Sequence, residues 1–227
     1  ENRKFSVLMS VYVKENPVFL EEAVESILHQ TLKPSEVVIV EDGPLTPELY
    51  QVLEKLEAQS SIPIKRCPLE QNRGLGLALQ YGVLQCQYDV IARMDTDDIA
   101  VEDRFEQQFE LMEKENLDLL GGHIAEFIDQ PDEIVSYRRV PTKHEDIIVY
   151  QRMRSAFNHM TVMFKRKMVL KAGNYEDGLY MEDDLLWLNM ISAGARTGNV
   201  DQILCKVRVG AGMFERRGGL RYLKLYR

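Results

Sequence analysis

Strand patterns alternate with helix patterns across the first half of this chain, and that alternation limits its possible folds more than any other feature. "FSVLMSV" (Phe5–Val11) is a short apolar run of buried-strand type. Pro17 then opens a helix with Leu20, Ala23, Val24, Ile27 and Leu28 on one face. "EVVIVED" (Glu36–Asp42) reads as a second strand, and Pro47 starts a second helix with Leu49, Val52, Leu53 and Leu56 inward. "IPIKRC" is a third strand and "GLGLALQYGVLQC" a third helix. Asp89–Met94 is a fourth strand, and Val101–Glu115 a helix with Phe105, Phe109 and Met112 facing in. This order implies an α/β protein whose parallel strands are joined by right-handed crossovers. Ligands in such sheets gather beyond the carboxyl ends of the strands. Glu41-Asp42 and Asp95-Thr96-Asp97-Asp98 both sit at such ends, so the two acidic turns are expected to face one crevice.

The second half is less regular. "LDLLGGHIAEFI" and "EIVSYRRV" read as strands, "HEDIIVYQRM" as a helix, and "HMTVMFKR" as a strand running into a short helix. "MEDDLLWLNMISAG" is a helix ended by Gly194, and "QILCKVRV" a last strand. With no repeat and no linker, the 227 residues are expected to form one domain. Its nucleotide-binding half would be 1–115, its acceptor and catalytic half 116–205, and 206–227 a basic terminal segment.

Three acids in four residues, Asp95, Asp97 and Asp98, repel one another and need a reason to be together. One of them can cap the following helix, but capping does not account for three. Two carboxylates at i and i+2 in a turn can share a Mg2+ or Mn2+ ion, which completes its shell with phosphate oxygens and water. In "LEQNRGLGLAL", Gly74 and Gly76 suggest a dinucleotide fingerprint, but the third glycine is replaced by Leu79 and the motif follows the third strand, not the first. Asn72-Arg73-Gly74 reads instead as a turn feeding a helix, either a plain turn or one whose donors meet a polar or anionic ligand. Glu182, Asp183 and Asp184 gather a second set of acids at a helix start. They suit capping and catalysis equally, since a carboxylate crowded by others gains basicity near neutral pH. Of the four histidines, His159 just before a strand is the most conspicuous; His29, His123 and His144 have plainer settings. No Ser/His/Asp or Cys/His pattern points to a nucleophilic triad.

In order along the chain, "SVLMSVY", "AVESILHQTLKPSEVVIVEDG", "NRGLGLAL", "ARMDTDDIAVEDRFEQQ" and "YMEDDLLWL" together resemble the family 2 glycosyltransferases of the GT-A fold. "RMDTDD" followed by "RFEQQ" further resembles bacterial enzymes that build capsular polysaccharides and exopolysaccharides. The resemblance implies a Rossmann-like, mainly parallel mixed sheet flanked by helices, and an inverting transferase that uses a UDP-sugar donor. It implies that Ser10, Val11 and Tyr12, with Glu41 and Asp42, hold uracil and ribose, and that Asn72 and Arg73 lie along the nucleotide. Asp95 would face ribose or the metal's water shell, Asp97 would bind Mn2+ or Mg2+, and Asp98 would support the turn. Asp183 matches the acid that deprotonates the acceptor hydroxyl. The family pattern Glu-Asp-x-Asp-Leu is compressed here to Glu182-Asp183-Asp184-Leu185, which keeps Asp184 as a rival.

These implied roles make chemical sense. A cation stabilises the departing diphosphate without moving a proton, and a carboxylate takes the proton of the attacking hydroxyl. One direct displacement inverts the anomeric centre. A sugar nucleotidyltransferase is a rival, but it would want a glycine-rich basic loop after the first strand, where this chain has "YVKENPVF". A non-catalytic Mg2+-binding module is a second rival, and it predicts no affinity for nucleotide.

The net charge of −8 argues against nucleic-acid binding. Cys67, Cys86 and Cys205 are widely spaced and read as reduced thiols, which fits a cytoplasmic setting. No stretch approaches the roughly 20 apolar residues that span a bilayer, and the start shows no signal-peptide pattern. Lys206, Arg208, Arg216, Arg217, Arg221, Lys224 and Arg227 face only Glu215. They form either a solvated terminal helix or a surface for the inner membrane face and a lipid-linked glycan acceptor. The abrupt end at "LRYLKLYR" reads as a chain cut short.

Overall fold

The computed structural model describes residues 3–177 and 181–210. The sequence alternation becomes β1 (Ser6–Val11), α1 (Pro17–Leu28), β2 (Glu36–Glu41), α2 (Pro47–Gln59), β3 (Ile64–Pro68), α3 (Leu75–Gln85) and β4 (Val90–Arg93). Local chemistry fixes the helix starts. The Asn16 side chain accepts the Val18 N–H at 2.9 Å and Thr46 accepts the Leu49 N–H at 3.3 Å, each followed by a proline that presets the first turn.

A short strand β5 (Ile99–Ala100) precedes α4 (Arg104–Glu115). Then come β6 (Leu119–Phe127), β7 (Ile134–Arg138), α5 (His144–Gln151), a 3-10 turn (His159–Thr161), β8 (Met163–Lys165), α6 (Arg166–Lys171), α7 (Glu182–Ser192) and β9 (Thr197–Arg208). The nine strands among the described residues belong to one sheet of order β3-β2-β1-β4-β8-β6-β9-β5, with β7 added beside β6. The β3-β2-β1-β4 part is parallel throughout. Beyond it, β6 and β9 are parallel and the remaining pairings antiparallel.

Both faces of the sheet are covered, which is why the central strands read as unbroken apolar runs rather than alternating ones. Val7, Met9, Val37 and Ile39 pack with α1, α2 and α4 on one face. Leu8, Val38 and Val40 pack with α3, α6 and α7 on the other. Helix α3 lies close to the sheet because Gly82 carries no side chain: a Cβ there would sit 2.4 Å from Leu8 Cδ1.

Several boundaries differ from the sequence reading, two of them near the site or the last strand. Helix α4 starts at Arg104 rather than Val101, because Ile99 and Ala100 pair with Lys206 and Cys205 of β9. Strand β9 begins at Thr197, five residues before the "QILCKVRV" run. No helix among the described residues is long and apolar enough to cross a membrane, and all three cysteines are free and buried.

Candidate active site

A crevice of about 810 Å³ opens beyond the carboxyl ends of β1, β2 and β4. Ser10, Tyr12, Asp42, Asn72, Asp95 and Asp97 all line it, so the two acidic turns do share one crevice. Lys14 and Glu15, from the loop after β1, and Asp177 and Glu182, before and at the start of α7, line it as well. Of these, Glu182 belongs to the second acidic set of the sequence, whereas Lys14, Glu15 and Asp177 were missed there. The strand-end rule that exposed the other acids would also have found Lys14 and Glu15.

Asp42 organises the turn into α3. Its two carboxylate oxygens accept the N–H groups of Arg73 (2.7 Å) and Gly74 (3.0 Å), and its carbonyl accepts Asn72 Nδ2 (3.2 Å). Those backbone donors are therefore spent inside the protein, and the Arg73 side chain is not among the lining residues. Glu41 and Val11 also lie elsewhere. Glu41 is buried, with Oε1 accepting Arg66 Nε at 2.6 Å, and the Val11 side chain is in the core. Glu41 is thus committed to Arg66 of β3, while Asp42, just past the end of β2, lines the crevice.

Carboxylate oxygens of Asp95, Asp97 and Asp98 come within 4.8 Å of one another. Asp95 Oδ1 accepts Arg93 Nη2 at 2.5 Å. Asp98 is buried and accepts the N–H of Arg208 in β9 at 3.0 Å, which ties the turn to the last strand. Asp97 faces the crevice with its carboxyl pushed up to about 7, by burial first and then by Asp95 and Glu15. Asp98 is likewise raised, by burial and then by Asp95 and Asp97. An all-oxygen set that suffers from its own repulsion fits a hard divalent cation.

The second acidic set separates into three roles. Glu182 lines the crevice. Asp184 is buried and accepts Gln151 Nε2 at 2.8 Å, while Gln151 Oε1 accepts the Ala156 N–H at 2.7 Å. Asp184, the rival base of the sequence, uses its carboxylate here to fasten α7 to α5. Asp183 lies between them, its side chain 22% exposed and Oδ2 3.9 Å from His159 Nδ1. Its carboxyl is raised to about 7 by burial, then by Asp184 and Glu182, against the lowering effect of Arg93.

Arg93 links the two acid sets. It is 1% exposed, paired with Asp95, and its charge acts on Asp97, Asp98 and Asp183 alike.

A family model, glycosyl transferase family 2, matches residues 6–172. The chain belongs to glycosyl transferase family 2. It is 46% identical over 222 residues to an uncharacterized glycosyltransferase of Haemophilus influenzae, covering 97% of this chain and 82% of that one. It is 42% identical over 221 residues to the amylovoran biosynthesis glycosyltransferase AmsE of Erwinia amylovora, covering 97% and 82%. It is 38% identical over 220 residues to the UDP-Gal:alpha-D-GlcNAc-diphosphoundecaprenol beta-1,3-galactosyltransferase of Escherichia coli, covering 96% and 79%. Among solved structures, S. aureus TarS 1-349 in complex with UDP-GlcNAc has a TM-score of 0.69 at 18% identity, covering 91% of this chain and 58% of that one. The mannosyltransferase PcManGT of Pyrobaculum calidifontis, in complex with GDP-Man and Mn2+, has a TM-score of 0.69 at 16% identity, covering 90% and 56%. The glycosyltransferase thus shares the GT-A fold of these proteins, although it spans only 37% to 64% of the solved chains it resembles. Membership favours the transferase over both rivals, the nucleotidyltransferase and the Mg2+-binding module. In this glycosyltransferase, Lys206 pairs with Asp132 at 2.6 Å and Arg208 with Glu22 at 2.7 Å, both from strand β9. The remaining basic residues of the terminal segment lie outside the described residues.

Proposed function

We propose that this glycosyltransferase moves a sugar, with inversion, from a UDP-sugar to the hydroxyl of a lipid-linked glycan in bacterial surface polysaccharide synthesis. One observation carries the reading: Asp95, Asp97 and Glu182 line the same crevice, and Asp183 follows Glu182 in the first turn of α7. Its relatives in amylovoran and lipid-linked GlcNAc chemistry support the polysaccharide setting, and family 2 transfer is inverting.

On this reading Ser10, Tyr12, Asp42 and Asn72 flank the nucleoside. Asp97 and Asp95 hold Mn2+ or Mg2+, which when bound supplies positive charge for the departing diphosphate. Arg93 keeps Asp95 oriented. Lys14, the one cation among the described residues lining the crevice, lies on the donor side. Asp183 accepts the proton of the acceptor hydroxyl as the new bond to the anomeric carbon forms and the bond to diphosphate breaks. A carboxyl raised to about 7 is a far better base than an ordinary one and is still about half ionised at neutral pH.

The test is a panel of UDP-sugars assayed with and without Mn2+ for binding and for transfer to a synthetic GlcNAc-diphospholipid. Asp97→Asn should lose metal-dependent transfer, whereas Asp183→Asn should keep donor binding and lose turnover. Absence of UDP binding under all conditions would overturn the donor class, and near-normal turnover by Asp183→Asn would overturn the base.

A further inference from the structure

We propose that His159 is a positioning residue for Asp183, with Tyr175 setting its ring tautomer. The inference rests on the reading of Asp183 as the base.

His159 opens the 3-10 turn before β8 and is held on several sides. Its ring meets Trp187 of α7 edge-on at 5.8 Å and lies 5.7 Å from the Tyr175 ring. Nε2 is 3.0 Å from the Tyr175 hydroxyl, and Nδ1 is 3.9 Å from Asp183 Oδ2. Tyr175 is itself fixed from α3: its carbonyl accepts Gln80 Nε2 at 2.6 Å, and the neighbouring Asn174 donates to the Gln80 carbonyl at 3.0 Å.

Protonation states follow from the surroundings. Burial, assisted by Arg93, holds the imidazole well below its ordinary value, so the ring is neutral and carries one proton. Burial raises the Tyr175 phenol, so its hydroxyl keeps its proton and can donate. If that hydroxyl donates to Nε2, the ring proton must sit on Nδ1, where it faces the Asp183 carboxylate. The opposite tautomer would aim a lone pair at a carboxylate oxygen. Both neighbours therefore favour the same tautomer.

At 3.9 Å the Nδ1–Oδ2 approach is too long for a hydrogen bond. Such contacts commonly tighten only when substrate is bound. The Nδ1–H then engages Oδ2 and leaves the other oxygen to receive the acceptor proton, as a third group orients a base in other acid-base sites. Asp184 and Glu182 from α7 and Arg93 from β4 also act on Asp183, but they set its charge balance. Among these, His159 is the neutral donor directed at one of its oxygens.

Two measurements test this. Long-range proton–nitrogen NMR on the full chain without substrate reads the His159 tautomer whatever the sugar proves to be. Nδ1–H is expected in the native protein, and a mixture of tautomers in Tyr175→Phe; a native Nε2–H tautomer would overturn the proposal. The second is transfer from UDP-galactose with Mn2+ to GlcNAc-diphospholipid. His159→Phe should lower kcat about 100-fold, the loss that an ångström-scale misplacement brings, with KM for donor unchanged. His159→Asn, whose amide N–H can stand near Nδ1, should recover most of it. An unchanged kcat and pH profile in His159→Phe, or equal loss of kcat and donor binding in every His159 variant, would overturn the positioning role. Asp183→Asn separates the failures: an active Asp183→Asn removes the base assignment, whereas an inactive one beside a fully active His159→Phe removes only the role of His159.

Discussion

Asp97 and Asp183 share an unusual condition: burial and acidic neighbours raise both carboxyls to about 7. A base works in its ionised form, so transfer should rise with pH through a midpoint near 7 as Asp183 loses its proton; a kcat profile flat from pH 5 to 8 would contradict this. Stability should move the other way. The folded protein without ligands retains protons that the unfolded chain releases between the ordinary carboxyl value of 3.8 and about 7. Its stability therefore falls as pH rises through that window. Asp97→Asn should raise the Tm of the metal-free protein at pH 8 by a few degrees, about 2–4 °C per kcal/mol for a chain this long, with little change at pH 4. Differential scanning calorimetry decides between these outcomes. At this scale the sequence was legible where strand ends carry acids, as at Asp42, Asp95 and Asp97. It was not legible at Asp183 and Asp184, because the partner that commits Asp184 is Gln151, 33 positions away. Nor was the pairing of Glu41 legible, because its partner Arg66 lies 25 positions away.

Among the elements, α3 does most to join the two walls. Gly76 allows this: a Cβ there would lie 2.3 Å from the Glu176 carbonyl oxygen and 3.1 Å from Glu182 Cβ. Gly82, two turns on, has the same intolerance but faces Leu8 and Val40 in the core. Each glycine-to-alanine change should cost about 1–3 kcal/mol through overpacking. Only Gly76→Ala should also lower kcat per folded molecule, since it displaces the segment carrying Tyr175 and Glu176. Chemical denaturation paired with rate measurements distinguishes the two. The long helices and buried strands were readable because caps, prolines and apolar spacing are local signals. Strand β5 was not, because two residues cannot display a period and its only cause is β9, about a hundred positions later.

For the whole molecule, a chain of net charge −8 concentrates acids around one crevice and offers Lys14 there as the single described cation. UDP alone should therefore bind weakly and stabilise little. UDP with Mn2+ at about 100 times its Kd should add about 2.7 kcal/mol, a shift of about 5–10 °C. Equal shifts with and without Mn2+, read by thermal melting, would contradict the metal's proposed place. The α/β class and the parallel pairing of the first four strands followed from sequence because that part is built from consecutive crossovers. The second half was harder to read because β8, β6 and β9 pair out of chain order.

Asp98, in the turn after β4, is held by the backbone N–H of Arg208, whose side chain lies 3.8 Å over the Phe19 ring and 4.6 Å from the Phe127 ring. The turn after β4 is thus fastened by a residue near the far end of the described chain. Recombination between relatives meets a constraint here: a crossover placed midway through the gene separates a turn from its clasp. Chimeras that inherit the stretches around Phe19, Asp98 and Arg208 from one parent should retain nucleotide affinity more often than chimeras split at the apparent halfway point.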